Sequence, residues 1–168
     1  MSLAGPLTRY GIAVAIIAAL IDQASKLWLL FVYDLPARGR AAVAPFLDFV
    51  FTKNTGISYG LFQGSSALWQ WALLGIKAAA VVLLIVWLAR STTRLTALSL
   101  GLIIGGAIGN AIDRLAYGFV VDFVLFHIDT ADWRFYWYVF NLADVAIVAG
   151  VVGLLYESVF SGRAVKAP

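Results

Sequence analysis

The chain has 168 residues, of which 62% are hydrophobic and only 12% charged, with a mean hydropathy of +0.92. A soluble domain of this size cannot hide that much apolar surface, so an integral membrane protein in one domain, residues 1–168, is expected. Net charge is +3 with no basic run, which gives no nucleic-acid signal; the absence of cysteine excludes disulfides, thiol nucleophiles and Cys–zinc sites, and a single His127 leaves no His-based triad.

The predicted elements begin with an apolar segment from about Tyr10 to Val32. It is too long for the apolar region of a cleaved leader and contains Asp22 and Lys26, so it reads as a retained membrane helix. A long mixed stretch follows, from Tyr33 to Ser66. Its central part, VAPFLDFVFTKNTGISYGLF, is rich in β-branched and aromatic residues and predicts short strands or a hairpin on the membrane surface. A second span is expected from about Ala67 to Ala89, a short basic turn from Ser91 to Arg94, and a third span from about Leu95 to Ala111. The Arg114–Trp137 stretch predicts a sizeable loop, whose FVVDFVLFHI is apolar enough to lie at the interface. A fourth span runs from about Tyr138 to Phe160. Each segment is close to the ~20 residues needed to cross a bilayer. Their Gly and Ala content suits close helix packing. Trp28, Trp69, Trp71, Trp87, Trp137 and Tyr138 stand near segment ends, as an aromatic belt would. The expected fold is therefore all-α: four transmembrane helices, a small β element outside the cytoplasm and an interfacial loop.

Four spans place both termini on one side. Arg9, Arg90, Arg94, Arg163 and Lys166 fall there, against Arg38, Arg40, Lys53, Arg114 and Arg134 on the other side. The count is balanced; the position of the first group close to helix ends points that side to the cytoplasm. The same topology brings Asp22, Lys26, Asn54, Asn110, Arg114, Asp122, Asn141 and Asp144 to one membrane boundary. An Asp at the centre of a membrane helix costs roughly 2.5–3.5 kcal/mol, less at the boundary, so Asp144 calls for a partner or a task. Asp22 and Lys26 are spaced i,i+4, as are Asn110 and Arg114; Asn141 and Asp144 are spaced i,i+3.

Asp122 and Asp144 are left without a local cation, whereas Asp113 is expected to pair with its neighbour Arg114 or with solvent. Two carboxylates sharing a site hold one proton between them, so one serves as base and the other as acid, as an aspartic hydrolase requires. A Ser25–Lys26 dyad is disfavoured, because neighbours in sequence do not face one another on a helix. No metal-ligand spacing is present. His127, Asp129 and Asp132 read as structural or solvated, the glycines of the third span as helix contacts, and Asn54 as a turn residue if it has no other role. Lys77 sits inside the second span with no assigned partner. A transporter relay and a docking subunit are the competing readings; clustering at one face disfavours the former.

The segments DQASK (Asp22–Lys26), KNTGISYGLF (Lys53–Phe62), GGAIGNAIDRLAYGFVVDF (Gly105–Phe123) and FNLADVAI (Phe140–Ile147) together resemble the ordered motifs of the lipoprotein signal peptidase (signal peptidase II) family. ISYG after NTG and the cation at Lys53 depart from the family's usual pattern. The resemblance implies a monomeric aspartic endopeptidase of the bacterial inner membrane, without metal or cofactor. It would cleave prolipoproteins before a diacylglyceryl-modified cysteine. By the same resemblance Asp122 and Asp144 are catalytic, Asp22, Lys26, Asn54, Asn110, Arg114 and Asn141 support them or bind substrate, both termini are cytoplasmic, and the site faces the periplasmic or outer side. A lid formed by the Arg114–Trp137 loop is a further expectation.

Overall fold

A computed structural model describes residues 5–55 and 67–161 of the chain. The ISYG stretch, Arg163, Lys166 and the side chains of Trp69, Trp71 and Lys77 lie outside the described residues. In chain order the elements are α1 (Thr8–Leu27), continued by a π-helical turn (Trp28–Val32), α2 (Leu35–Arg38), β1 (Ala41–Ala44), β2 (Leu47–Asn54), α3 (Ala67–Ala89), α4 (Arg94–Tyr117), β3 (Val120–Asp129), β4 (Arg134–Tyr136) and α5 (Leu142–Ser161).

The helices are turned inside out relative to a soluble bundle. On α1 the buried positions are Thr8, Gly11, Ala15, Asp22 and Lys26, a stripe spaced by three, four and seven, whereas Ile12, Ile16, Ile17, Leu20 and Ile21 are exposed. Lipid tails are as apolar as these side chains, so nothing drives the large residues inward. Association rests instead on close approach and polar bonds. α4 is the central helix, packed by α1 on one side and α5 on the other. Its adjacent Gly105 and Gly106 make that possible. A Cβ on Gly105 would stand 2.4 Å from the Ala15 carbonyl oxygen, and one on Gly106 equally close to that of Ala143.

Three helices among the described residues are long and apolar enough to cross a membrane: Thr8–Val32, Arg94–Tyr117 and Leu142–Phe160, with hydropathies of 1.7, 1.8 and 1.8. The expected edges move. α4 continues past Ala111 to Tyr117, where Gly118 ends it at φ +79°. α5 starts at Leu142, capped by Asn141, and not at Tyr138.

The larger correction concerns the Arg114–Trp137 stretch, which is not a loop. β3 occupies its middle and lies inside a four-stranded antiparallel sheet of order β1-β2-β3-β4. Its residues Val120–Leu125 are buried in an unbroken run, packed with Leu29, Leu35 and Phe49 beyond the end of α1. A strand buried on both faces carries no alternation, which is why it reads as a loop by pattern alone. Paired on both edges, it is no candidate for a closing lid. The hairpin expected in the preceding stretch is present as β1 and β2.

Candidate active site

Where the ends of α1 and α4 meet the start of α5, the polar side chains form one connected network. Lys26 is its centre. Its ammonium has three donors, and each has an acceptor: Asp22 Oδ2 at 2.7 Å, Asp113 Oδ2 at 2.8 Å and Asn110 Oδ1 at 3.2 Å. Lys26 is 1% exposed, and Asp22 and Asp113 are fully buried. Such an ion pair is tolerable only because its remaining bonds are also made. Asp22 Oδ1 accepts from the Ala143 N–H at 2.9 Å, in the first turn of α5. Asp113 accepts from Gln23 Nε2 at 2.8 Å and from the Val121 N–H at 3.0 Å, one residue before Asp122. At Gly109 a Cβ would lie 2.5 Å from Asp22 Oδ2, so glycine there leaves room for that carboxylate.

Asn110 and Asn141 carry this framework to the two remaining acids. Asn110 Oδ1 accepts from both Lys26 and Asn141 (3.1 Å), which turns the Asn110 NH₂ toward Asp144 Oδ1 at 2.9 Å. Asn141 and Asp144 form a capping box. Asn141 Oδ1 accepts from the Asp144 N–H at 3.0 Å, and Asp144 Oδ2 accepts from the Asn141 N–H at 3.2 Å. The Asn141 NH₂ then reaches Asp122 Oδ1 at 2.6 Å, while Asn54 Nδ2 donates to Asp122 Oδ2 at 2.9 Å. Strand register explains the second contact: Thr52 stands opposite Asp122, which brings Asn54 alongside. Asp122 is 2% exposed. Burial holds its carboxyl above the usual carboxylate range; the bonds from Asn54 and Asn141 oppose this, and the charge of Asp144 adds to it. Arg114 donates to the Asn110 carbonyl oxygen at 3.2 Å and lies within electrostatic reach of Asp122 and Asp144. Four acids (Asp22, Asp113, Asp122, Asp144) thus face two cations, Lys26 and Arg114.

All eight residues singled out in the sequence meet here. Asp113 is the correction: it is fully buried and paired with Lys26, not with Arg114 or solvent. Successive residues point about 100° apart on a helix, so adjacency to Arg114 is no contact, whereas its i,i+3 spacing from Asn110 is the signal that finds it. Gln23, next to Asp22, was also missed. His127 and Asp129 belong to a separate cluster on the sheet. His127 Nδ1 lies 3.0 Å from Asp129, its Nε2 lies 3.3 Å from Asp48, and Asp48 pairs with Arg40. Among the described residues no three His, Asp or Glu side chains converge so as to hold a metal ion.

A cleft of about 640 Å³ opens between α3, α4 and α5, walled by Val81, Ile103, Ala107 and Ile147, with Asn110 and Arg114 on its lining. A smaller groove of about 330 Å³ between α1, α3 and α4 is wholly apolar and offers no chemistry.

Apolar helices that end in a connected set of acids and amides beneath a small sheet define a multi-pass membrane protein with a polar network at one end of its helices. Residues 14–160 match the profile of the family described as Signal peptidase (SPase) II. The chain is 63% identical over 160 residues to the lipoprotein signal peptidase of Nitrobacter hamburgensis, and 58% identical over 160 residues to that of Rhodopseudomonas palustris strain TIE-1; each comparison covers 95% of this chain and 98% of the relative. A bacterial membrane enzyme solved by the in meso method at 2.3 Å shares the fold, with a TM-score of 0.71 at 24% identity, over 95% of this chain and 92% of that one. The chain belongs to the signal peptidase II family of membrane peptidases.

Proposed function

We propose that the protein is an aspartic endopeptidase that removes the signal peptide from bacterial prolipoproteins, cutting on the N-terminal side of a diacylglyceryl-modified cysteine. The observation that carries this reading is the Asn141 bridge: one residue donates from its side chain to Asp122 and from its main chain to Asp144. Two carboxylates are thereby joined through one residue, and Asn110, which donates to Asp144, stands on the lining of the apolar cleft.

In the reaction Asp122, buried and proton-retaining, donates to the scissile carbonyl oxygen. Asp144, seated in the first turn of α5, takes a proton from the attacking water. The water oxygen bonds to the carbonyl carbon to give a gem-diol. The C–N bond then breaks as the proton held by Asp144 passes to the leaving nitrogen, and one gem-diol hydroxyl returns its proton to Asp122 to leave the carboxylic acid. Asn110 and Asn141 hold the geometry; Lys26, Asp22 and Asp113 hold Asn110 and the two elements bearing the acids. Arg114 offsets charge beside the pair. No metal or cofactor takes part.

In this reading α3 is the fourth span. Its 23 residues extend about 35 Å at ~1.5 Å per residue, enough for a ~30 Å hydrocarbon core. Both termini are cytoplasmic, the site faces the periplasmic or outer side of the inner membrane, and one chain forming one domain suffices. A signal helix entering the cleft from lipid would leave its diacylglyceryl chains in the bilayer and bring the scissile bond to the boundary.

The test is cleavage of a diacylglyceryl-modified prolipoprotein by purified protein beside Asp122→Asn and Asp144→Asn. Loss of roughly 10²–10⁴-fold in each folded variant is expected. Near-normal turnover in either would remove that aspartate from the reacting pair.

A further inference from the structure

The most exposed aromatic feature of the sheet is β4 with its flanks. Trp133 and Trp137 are each 54% exposed, and Tyr138 is 61% exposed. Trp133, Phe135 and Trp137 alternate along the strand and so share a face. Their rings form a continuous ladder: Trp133 stacks on Phe135 at 5.6 Å and 9°, and Phe135 meets Trp137 at 5.9 Å. The other face of β4 is polar. Tyr136 donates to Asp129 at 3.0 Å and stacks on His127, and Arg134 stands opposite Asp129. β4 is also an edge of the sheet. An aromatic edge strand facing water would be a site of self-association.

Two observations say what covers it. First, β3 keeps its alternation from Asp122 to Ile128, since the one register shift along its ladder takes its extra residue from β2. Ile128 and its partner Phe135 therefore stand on the sheet face that bears Asp122, the face turned toward Asn141 and the helix ends. Second, residues 137–141 alone join β4 to α5, a reach of at most about 22 Å from Tyr136 to Leu142. The outer surface of α5 carries exposed Val145, Val148, Val152 and Leu155, a lipid-facing surface in a helix that crosses the membrane. Trp and Tyr favour the headgroup layer, where an apolar ring and a polar edge are both accommodated.

We propose that the Trp133–Phe135–Trp137 ladder is immersed in the interfacial layer of the bilayer on the active-site side, with the lipid surface as its partner. The sheet would then be moored to the membrane on the strand that leads into the helix bearing Asp144. This rests on the helices crossing the bilayer and not on the peptidase chemistry.

The chain contains no cysteine, so a single cysteine can be placed in the otherwise native full-length protein and spin-labelled. Labels at 133, 135 and 137, and at 132 and 134, would be compared in phosphatidylethanolamine–phosphatidylglycerol vesicles for collision with oxygen and with a water-soluble nickel complex. The proposal expects the first three to favour oxygen over nickel several-fold more than the other two. Equal nickel access at all five, or protection of the ladder from both reagents, would overturn it; the latter would mean that protein covers the face. Because a label replaces the ring it reports on, Trp133→Phe/Trp137→Phe provides a second reading with brominated lipids. The double variant should lose a lipid-quenched component of the tryptophan emission, and loss of an unquenched component alone would count against immersion.

Discussion

The two ends of the helical bundle are joined by opposite means. Toward the Arg94 end of α4, backbones touch because atoms are missing: Gly101 leaves room for the Gly11 carbonyl, and Gly150 for that of Ser99. Toward the sheet, the same helices are joined by ionised and amide groups with each Lys26 donor matched. In lipid neither end is driven by the hydrophobic effect. One end is made specific by shape, the other by satisfied charge, and only the second supplies groups able to move a proton.

The largest loss should come from the charged end. Lys26→Met leaves Asp22 and Asp113 buried without their cation, at a cost of about 3–5 kcal/mol. A thermal midpoint near that of the native protein in detergent would show that the ion pair is not what joins this end. Gly105→Ala tests the packed end: its Cβ meets the Ala15 carbonyl, and a cost of about 1–3 kcal/mol is expected. Gly75→Ala, with nothing among the described residues within 4 Å of its Cβ, is the control and should be neutral or stabilising. Asn141→Ala separates the two ends by kind of effect. Loss of the cap should cost about 1 kcal/mol of stability, while activity falls far more than the midpoint does, because Asp122 loses its donor. Equal proportional losses would reduce Asn141 to a cap.

The smallest effect is a pH dependence. Burial holds Asp122 above the usual carboxylate range, so the folded state favours its protonated form. Its stabilising contribution is complete below the unfolded value and is lost as pH rises through the raised one. Asp122→Asn cannot ionise. The midpoint of this variant minus that of the native chain should therefore increase as pH rises from below the ordinary carboxylate range through the raised value of Asp122. A difference that stays flat would contradict the raised value.

The site was more legible in the sequence than the fold around it. Helix spacing alone aligns Asp22 with Lys26 and Asn141 with Asp144, because i,i+3 and i,i+4 residues share a face wherever the helix lies. β3 was not legible, since burial on both faces erases alternation. Asp113 was hidden by a charged neighbour that it does not touch, and the Arg40–Asp48–His127 cluster depends on β2 and β3 lying side by side, which no local pattern states. The double duty of Asn141, cap and bridge, emerges only once the helix start is fixed.

The complete coordination of the Lys26 ammonium has a consequence for chemical footprinting. With three carboxylate or amide oxygens around it and 1% exposure, this amine has no free lone pair to offer an electrophile. Acylating reagents should pass over Lys26 in the folded membrane protein while labelling exposed Lys53 on β2. The appearance of a Lys26 adduct would then report that the bundle has come apart at its charged end.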